Sequence, residues 1–317
     1  MKDLISGLGT IFMLHRVEPL NNCEFAPNKD MSVSLEFLEK FILGAQNRGY
    51  TFISLDELID KLSTGTDKTF LSLTFDDGYK DNLTTVYPLL KQLDIPFAIY
   101  ATSSFLEGDA ILWWYALEQM LLDNDSIEMA DGRTLLCRST QDKLDAFVSL
   151  RKSIMSLPCD SLGESINAMF ADIKFDWRQI CAREALGWDD LAKLAQDPLV
   201  TIGAHTVTHP VLSKLPQEDA CAEMDIGRKL IEEHIHRPVE HFCYPFGSRE
   251  EVGVREFQLA RELGFKSATT TRWGNIFNKH RLHLHALPRV PLINGFNWND
   301  FHRNSLRRFL RGRVVTA

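Results

Sequence analysis

Short apolar runs rich in β-branched residues recur along the chain and alternate with segments whose apolar residues repeat every three or four positions. This alternation is typical of an α/β protein with a parallel sheet or barrel. The helical periodicity predicts helices at 34–48, 81–93, 216–234 and 254–263, the first between a Ser34 cap and a Gly49 stop. The short runs predict strands at 10–17, 50–54, 70–75, 97–101, 200–204, 241–244 and 265–271.

One long segment, 108–197, breaks this rhythm. It has helical periodicity at 141–155, 162–170 and 188–196, and its only strand-like stretch is 128–137, around Asp131-Gly132. We therefore expect a discontinuous barrel domain (1–107 and 198–300), a mainly helical insertion (108–197) and a C-terminal tail (301–317).

The balance of charge limits the classes of partner. Lys and Arg number 35 against 43 Asp and Glu, for a net charge of −8, which argues against nucleic-acid binding. The tail is a local exception because it carries no acid and could form a basic amphipathic helix that contacts anionic lipid or an acidic partner. A solvated terminal helix is the alternative. The basic residues of the tail are Arg303, Arg307, Arg308, Arg311 and Arg313.

Cysteine spacing and the apolar runs bear on the compartment. The six cysteines form no C-x-x-C pair, which favours buried thiols in a reducing compartment. The early apolar stretch 8–14 is short and contains glycine, so it is a poor signal peptide, and no run reaches the ~18 apolar residues of a membrane span. We expect a cytoplasmic protein, with the tail allowing peripheral contact with the inner membrane.

Two adjacent carboxylates, Asp76 and Asp77, end the apolar run 70–75 and precede Gly78. The carboxyl ends of strands are where α/β barrels place their sites. Adjacent carboxylates point in different directions, so one could bind a metal while the other handles a proton. Asp-Gly is also a common turn, so a purely structural role is the alternative.

Two histidines, His205 and His209, follow another apolar run and are four residues apart. They can converge on one metal if the segment makes a helical turn, which Pro210 would limit. With one carboxylate they would give three protein ligands and leave a position open for water. Such a set indicates a catalytic metal site.

Together, TFDDGY and H-T-V-T-H resemble the polysaccharide deacetylase family, also called the NodB-homology family or carbohydrate esterase family 4. Segment 242–247 (FCYPFG) resembles the third motif of the family, and 13–17 and 287–290 resemble it more loosely. The resemblance implies an α/β fold, a distorted (β/α) barrel of the NodB type carrying the helical insertion. It also implies metal-dependent removal of an N- or O-acetyl group from a sugar.

The resemblance also implies roles for individual residues. Asp77, His205 and His209 would hold a divalent metal, for which Zn²⁺ is the first candidate, and Asp76 would be the general base. The chemistry agrees, because amide hydrolysis at neutral pH needs a metal to lower the pKa of water. The tetrahedral oxyanion would be stabilised by the metal and by the backbone N–H of Phe246. Pro245, also in the third motif, would fix the turn that carries Phe246.

The departing amine needs a general acid, and family members often use a late histidine. We expect His285, or else His283, although either could be a solvent-facing histidine. Many members also carry an arginine two residues before the third-motif proline, where this chain has Cys243. Arg289 or Arg272 could supply that charge.

Aromatic residues and one further histidine complete the set of candidates. Trp113, Trp114 and Trp273 could stack on a sugar, although large aromatics more often pack in cores. His15, near the end of the first predicted strand, could line the rim of the cleft.

These observations predict a hydrolase that removes an acetyl group from an N-acetylated sugar of a polysaccharide or glycan precursor. The substrate could be an acetylated glycan or a lipid-linked or nucleotide-linked sugar. The alternatives are a hydrolase of cyclic amides or acylamines on the same fold, or an inert glycan-binding protein.

Overall fold

The computed structural model describes residues 7–19, 24–65, 69–157 and 161–310, with side chains through residue 307. At its centre, seven parallel strands close into a barrel in the order β1-β12-β11-β10-β9-β6-β5, with β5 pairing back to β1. β4 pairs with the start of β5, and β2–β3 and β7–β8 form separate pairs. The strands are β1 (Gly9–Leu14), β2 (Arg16–Val17), β3 (Ser32–Val33), β4 (Thr51–Phe52), β5 (Phe70–Asp77), β6 (Phe97–Ala101), β7 (Ser126–Glu128), β8 (Thr134–Leu136), β9 (Val200–Ala204), β10 (His241–Cys243), β11 (Ser267–Trp273) and β12 (Leu287–Pro291).

Most barrel strands are rich in apolar residues because helices cover their outer face and the strands are buried on both sides, although β11 is largely polar. Every residue of β5 is buried, including its two terminal carboxylates. The structure confirms a strand at each predicted position, with β11 beginning two residues later than expected. β12 was missed because Pro288, Arg289 and Pro291 interrupt its apolar pattern.

Helices connect the strands on the outside. The first shows why the periodicity was informative: Leu38, Phe41, Ile42 and Ala45 are buried on one face, and the Ser34 hydroxyl accepts from a backbone N–H of the first turn. The predicted helix 81–93 is a π-helical turn, Asn82–Val86, followed by α3. The helices are α1 (Leu35–Gln46), α2 (Leu55–Thr64), α3 (Tyr87–Gln92), α4 (Ser103–Glu107), α5 (Trp113–Asp123), α6 (Thr140–Ile154), α7 (Leu162–Ala168), α8 (Trp177–Glu184), α9 (Trp188–Leu194), α10 (Gln217–Ile235), α11 (Val254–Glu262) and α12 (Trp298–Leu310).

The segment between β6 and β9 has a core of its own. Helices α5–α7 and the β7–β8 hairpin pack around an apolar cluster that includes Leu117, Phe147 and Phe170. By contrast, Leu191 and Leu194 of α9 pack into the main barrel core. We therefore propose that the insertion ends before α9, several residues earlier than expected from the sequence.

The C-terminal helix α12 begins before the predicted tail. Its Trp298 ring stacks on Phe41 with a centroid separation of 5.3 Å, and Phe301 is buried. Arg303 and Arg307 are exposed, while Arg311 and Arg313 lie outside the described residues. No helix in the described ranges combines the length and apolar character that would be needed to cross a membrane.

Candidate active site

The two aspartates and two histidines meet at the carboxyl end of the barrel. Asp76 and Asp77 are the last residues of β5, and His205 directly follows β9. Asp77 has φ 76° and Gly78 has φ 90°, so the chain leaves β5 through a left-handed turn. This turn points the two neighbouring carboxylates at different partners.

Asp77 faces both histidines. Its Oδ1 is 3.4 Å from Nε2 of His205 and 3.5 Å from Nε2 of His209. Among the described residues, no hydrogen-bond partner satisfies this buried oxygen. The Nδ1–H of His205 donates to the carbonyl of Cys243 at 2.7 Å, which orients the imidazole with Nε2 toward Asp77.

This arrangement fits a divalent cation. The three candidate ligand atoms of Asp77, His205 and His209 lie within 4.8 Å of one another. A buried carboxylate oxygen without a partner is costly, and a cation between the three groups would satisfy it. One carboxylate and two imidazoles are the donor set of many catalytic zinc sites.

The loop that carries His209 is locked by its own backbone. Thr206 and His209 have φ 68° and 59°, in the left-handed region. The Thr206 hydroxyl accepts from the His209 N–H at 3.0 Å and donates to the His205 carbonyl at 2.6 Å. These bonds bring the two histidines together without the helical turn that sequence reasoning gave as a condition for their convergence.

Helix α10 supports this loop from outside. Glu223 accepts from the N–H groups of Val207 and Thr208, each at 2.9 Å, and from the Thr208 hydroxyl at 2.8 Å. One turn further, a Cβ on Gly227 would come within 2.7 Å of the Thr206 carbonyl carbon. Only glycine lets α10 approach the loop this closely. Sequence reasoning did not identify Glu223, but Gly227, a glycine inside a long helix, could have indicated a close contact at this position.

Asp76 is held by a buried arginine. Its two carboxylate oxygens accept from Nη1 and Nη2 of Arg289 at 2.6 and 2.7 Å, and Arg289 is fully buried. Nη1 of Arg289 also donates to the Thr74 hydroxyl and Nε donates to the Thr270 carbonyl. This fork fixes the orientation of the carboxylate.

Cys243 occupies the third-motif position where the resemblance implied an arginine. Its Sγ accepts from Nη2 of Arg289 at 3.0 Å, so the small side chain makes room for a guanidinium that arrives from β12. Asp76, His205 and Cys243 also form a potential ligand group, but the guanidinium already supplies the positive charge there. Arg272, the other candidate, donates instead to the carbonyl of Val252.

The charges follow from these contacts. Burial opposes ionisation of Asp76, but the charge and hydrogen bonds of Arg289 hold the pKa of Asp76 below its usual value. Burial also opposes ionisation of Asp77, yet the imidazoles of His205 and His209 that face its carboxylate lower its pKa. Burial lowers the pKa of His209 to about 4, so this histidine is neutral, as a metal ligand must be.

His205 behaves differently from His209. Burial would lower its pKa, but the adjacent Cys243 and the facing Asp77 carboxylate raise the pKa of His205 well above its ordinary value. When no cation is bound, the Asp77 carboxylate thus favours the protonated form of His205. A bound cation would displace that proton.

Phe246 lies beside the same site. It follows β10 in a turn where Phe246 and Gly247 have φ 60° and 63°, and its ring centroid is 4.9 Å from that of His209. The Gly247 N–H donates to the Pro245 carbonyl at 2.6 Å, and the Thr271 hydroxyl donates to the Phe246 carbonyl. The turn, which begins at Pro245, thus places the Phe246 ring next to a candidate metal ligand.

A family model described as polysaccharide deacetylase matches residues 63–130 and 161–268, more than half of the chain. The chain belongs to the polysaccharide deacetylase family. It is therefore a carbohydrate esterase family 4 hydrolase. Members of this family deacetylate glycans and are generally metal-dependent. The family, the barrel fold and the enzyme class expected from the sequence are confirmed.

Solved structures of low identity share the fold of this deacetylase. The Streptococcus pyogenes deacetylase PplD, in complex with acetate, is 17% identical with a TM-score of 0.59, covering 93% of this chain and 96% of its own. IcaB from Ammonifex degensii is 15% identical with a TM-score of 0.59, covering 94% and 97%. A de-N-acetylase from Aggregatibacter actinomycetemcomitans is 15% identical with a TM-score of 0.59, covering 94% and 99%. No curated protein sequence matches the chain.

The structure does not bring the two late histidines of this deacetylase to the site. His283 and His285 precede β12, and residues before a parallel strand lie at the opposite end of the barrel from the carboxyl termini. His283 is exposed, and Nε2 of His285 donates to the carbonyl of Phe265, which itself precedes β11. The expectation that His285 or His283 is the general acid therefore does not fit this geometry.

His15 lies at the catalytic end instead. It directly follows β1, whose Leu14 pairs with Phe75, so His15 comes level with Asp76. Its side chain is half-buried, and its proximity helps to lower the pKa values of Asp76 and Asp77. The sequence placed His15 only at the rim of the cleft.

The tryptophans divide between two places. Trp113 and Trp114 line a groove of about 540 Å³ that His209 and Phe246 also line. Trp273 ends β11 at the same end of the barrel as the aspartates and lies half-buried near Phe301 of α12, with ring centroids 6.2 Å apart.

Arg16 is a structural residue that the sequence reasoning left out. It is buried, and its guanidinium contacts Asp81 at 3.1 Å, Glu184 at 2.7 Å and Glu18 at 2.6 Å. Glu184 belongs to α8, and its carbonyl accepts from the N–H of Lys80 beside the catalytic turn. Arg16 thus ties the insertion to the loop after β5. Its place next to His15 in segment 13–17, which loosely resembles the family, was the available signal.

Proposed function

We propose that the protein is a metal-dependent N-deacetylase that removes the acetyl group from an N-acetylated sugar of a glycan or glycan precursor. The observation that supports this most directly is the unpaired, buried Oδ1 of Asp77 between the Nε2 atoms of His205 and His209. Zn²⁺ suits this mixture of imidazole and carboxylate ligands.

The neighbouring residues supply the proton chemistry. When bound, a divalent cation provides Lewis acidity that lowers the pKa of water and polarises a carbonyl. Asp76, kept ionised and oriented by Arg289, accepts the proton of the attacking water. The backbone N–H of Phe246, set by the turn at Pro245, donates to the developing oxyanion.

We propose His15 as the proton donor to the departing amine. An amine leaves poorly unless it is protonated, so a donor must lie at the carboxyl end of the barrel. His15 is the half-exposed histidine next to Asp76, whereas His283 and His285 are at the other end. This assignment replaces the expectation drawn from the sequence.

The proposed substrate is an acetylated glycan or a lipid-linked or nucleotide-linked sugar in the cytoplasm, at or near the inner membrane. The exposed Arg303 and Arg307 of α12 support contact with an anionic surface. Cell fractionation tests the location, and recovery of the protein outside the cytoplasm would overturn it.

The decisive experiment measures acetate release from N-acetylhexosamine oligomers, together with bound zinc, for zinc-loaded and chelated protein. We expect zinc-dependent release that is lost in Asp77→Asn and reduced at least about 100-fold in His15→Asn, the usual range of acid catalysis. His283→Asn is the matched control and should retain activity. Stoichiometric zinc without acetate release from any glycan would favour a hydrolase of cyclic amides or acylamines, and a protein that binds no metal would favour an inert glycan-binding protein.

A further inference from the structure

A groove runs from the candidate metal site into the space between the barrel and the insertion. It has a volume of about 540 Å³ and is lined at one end by His209 and Phe246. Val211 and Leu215 contribute to the barrel side, and Met155 contributes to the insertion side. A molecule that reacts at the site formed by Asp77, His205 and His209 could therefore extend directly into this groove.

The walls of the groove are apolar and its charges are at the rim. Phe105, Ala110 and Trp113 are among the lining residues and are buried. The charged lining residues, Glu107, Asp109 and Lys214, are all exposed. The interior thus offers burial of hydrocarbon without desolvating a charge.

Two polar side chains along the groove are already engaged, and the polar atoms of two others, the Ser103 hydroxyl and the Trp114 indole N–H, are themselves buried although no partner satisfies them among the described residues. The Thr208 hydroxyl donates to Glu223, and the Ser156 hydroxyl donates to the Ser153 carbonyl. A sugar or a nucleotide base would place its hydroxyl or amide groups against walls with few groups to pair with them, at a cost for each. Lys214 is the single basic residue among the described residues that line the groove, and two exposed acids oppose it. A nucleotide diphosphate is therefore a poor occupant.

We propose that this groove binds the hydrocarbon chain of a lipid-linked sugar whose lipid is joined by a glycosidic bond without a phosphate, while the acetamido group lies between Asp77, His205 and His209. The inference rests on the proposed function and selects the lipid-linked substrate over the nucleotide-linked one. Because the family removes acetyl groups, the hydrocarbon belongs to the sugar side of the scissile bond. The insertion then acts as one wall of a binding site for the lipid.

The test uses methyl, butyl and octyl glycosides of N-acetylglucosamine below their micelle concentrations. Each buried CH₂ contributes about 0.8 kcal/mol, so partial burial of an octyl chain should lower KM and Kd by at least about tenfold relative to methyl. Kd is read from intrinsic tryptophan fluorescence, which Trp113 and Trp114 should report without any turnover.

Two variants place a charge on opposite walls of the groove, Met155→Glu and Val211→Glu. We expect each to bring the octyl-to-methyl ratio of affinities close to one. Val148→Glu is the matched control, because Val148 is an exposed apolar residue of α6 that does not line the groove, and it should keep the wild-type ratio. Circular dichroism establishes that each variant is folded.

Each outcome decides the proposal. No dependence of Kd on chain length in the wild type, or a dependence that both groove variants retain, overturns it. A gain from N-octanoyl in place of N-acetyl, with no gain from an octyl aglycone, assigns the groove to the acyl group and also overturns it. Tight octyl binding that the variants weaken, with no acetate released, supports the groove and refutes the proposed deacetylation.

Discussion

Replacing Arg289 tests whether this residue of β12 controls the ionisation of Asp76, the proposed general base. The guanidinium is fully buried and makes two of its bonds to Asp76, at 2.6 and 2.7 Å. Arg289→Gln leaves the Asp76 carboxylate buried without a counterion, which should cost about 3–5 kcal/mol of unfolding free energy. Arg289→Lys keeps the charge but cannot form the fork, and we expect its kcat/KM to fall about 10–100-fold.

The pH profile separates positioning from mere stability. Arg289 holds the pKa of Asp76 down against burial, so weakening this pair must raise that pKa. The base is then protonated up to a higher pH, and the acidic limb of kcat/KM should move to higher pH in Arg289→Lys. Arg272→Lys is the control, because Arg272 is a largely buried arginine that donates to Val252, and it should leave the limb unmoved. An unmoved limb in Arg289→Lys would refute the reasoning, whatever the loss of stability.

Three further predictions concern the metal loop and its protons. Glu223→Ala removes the acceptor of three hydrogen bonds from the His209 loop and should weaken zinc affinity about 10–100-fold in a competition titration. Glu218→Ala, on the exposed first turn of α10, is the control, and equal zinc affinities of the two variants would contradict the role given to Glu223. Gly227→Ala forces a methyl against the loop backbone and should lower the urea unfolding free energy by about 1–3 kcal/mol, and a wild-type midpoint would show that the helix can retreat at no cost. Because the pKa of His205 is raised, zinc binding at neutral pH should release a proton, and zinc affinity should fall as the pH decreases. Calorimetry in buffers of different ionisation enthalpy measures the proton release, and a heat of binding that does not depend on the buffer would exclude this coupling.

The barrel was predictable because its strands are buried on both faces. A run such as 70–75 is therefore mostly apolar, and its buried Ser72 and Thr74 hydroxyls donate to backbone carbonyls of adjacent segments. The periodicity of α1 indicates a helix with one buried stripe. β12 escaped prediction because its buried arginine serves the site and its two prolines break the apolar run. The charge that Asp76 needs at this end of the barrel thus weakens the apolar pattern by which β12 could have been recognised.

The candidate site was predictable where its residues are neighbours in the chain, as with Asp76 and Asp77 or His205 and His209. It was not predictable where function depends on which end of the barrel a residue occupies. His285 lies two residues before a strand that was not recognised, so its side of the barrel could not be deduced. Recognising β12 would have placed Arg289 inside the barrel wall and His285 at the wrong end in one step.

The relation between Cys243 and Arg289 shows why a missing motif residue does not imply a missing function. What Asp76 requires is a guanidinium in the plane of its carboxylate, and β10 and β12, which flank β11, could each deliver one. A long residue at position 243 would collide with the Arg289 fork, since Sγ is already 3.0 Å from Nη2. The short cysteine and the arginine on β12 therefore depend on each other, and Cys243→Arg alone should damage the site rather than restore the family pattern. Only a combined change, with Arg289 shortened at the same time, could move the charge back to β10.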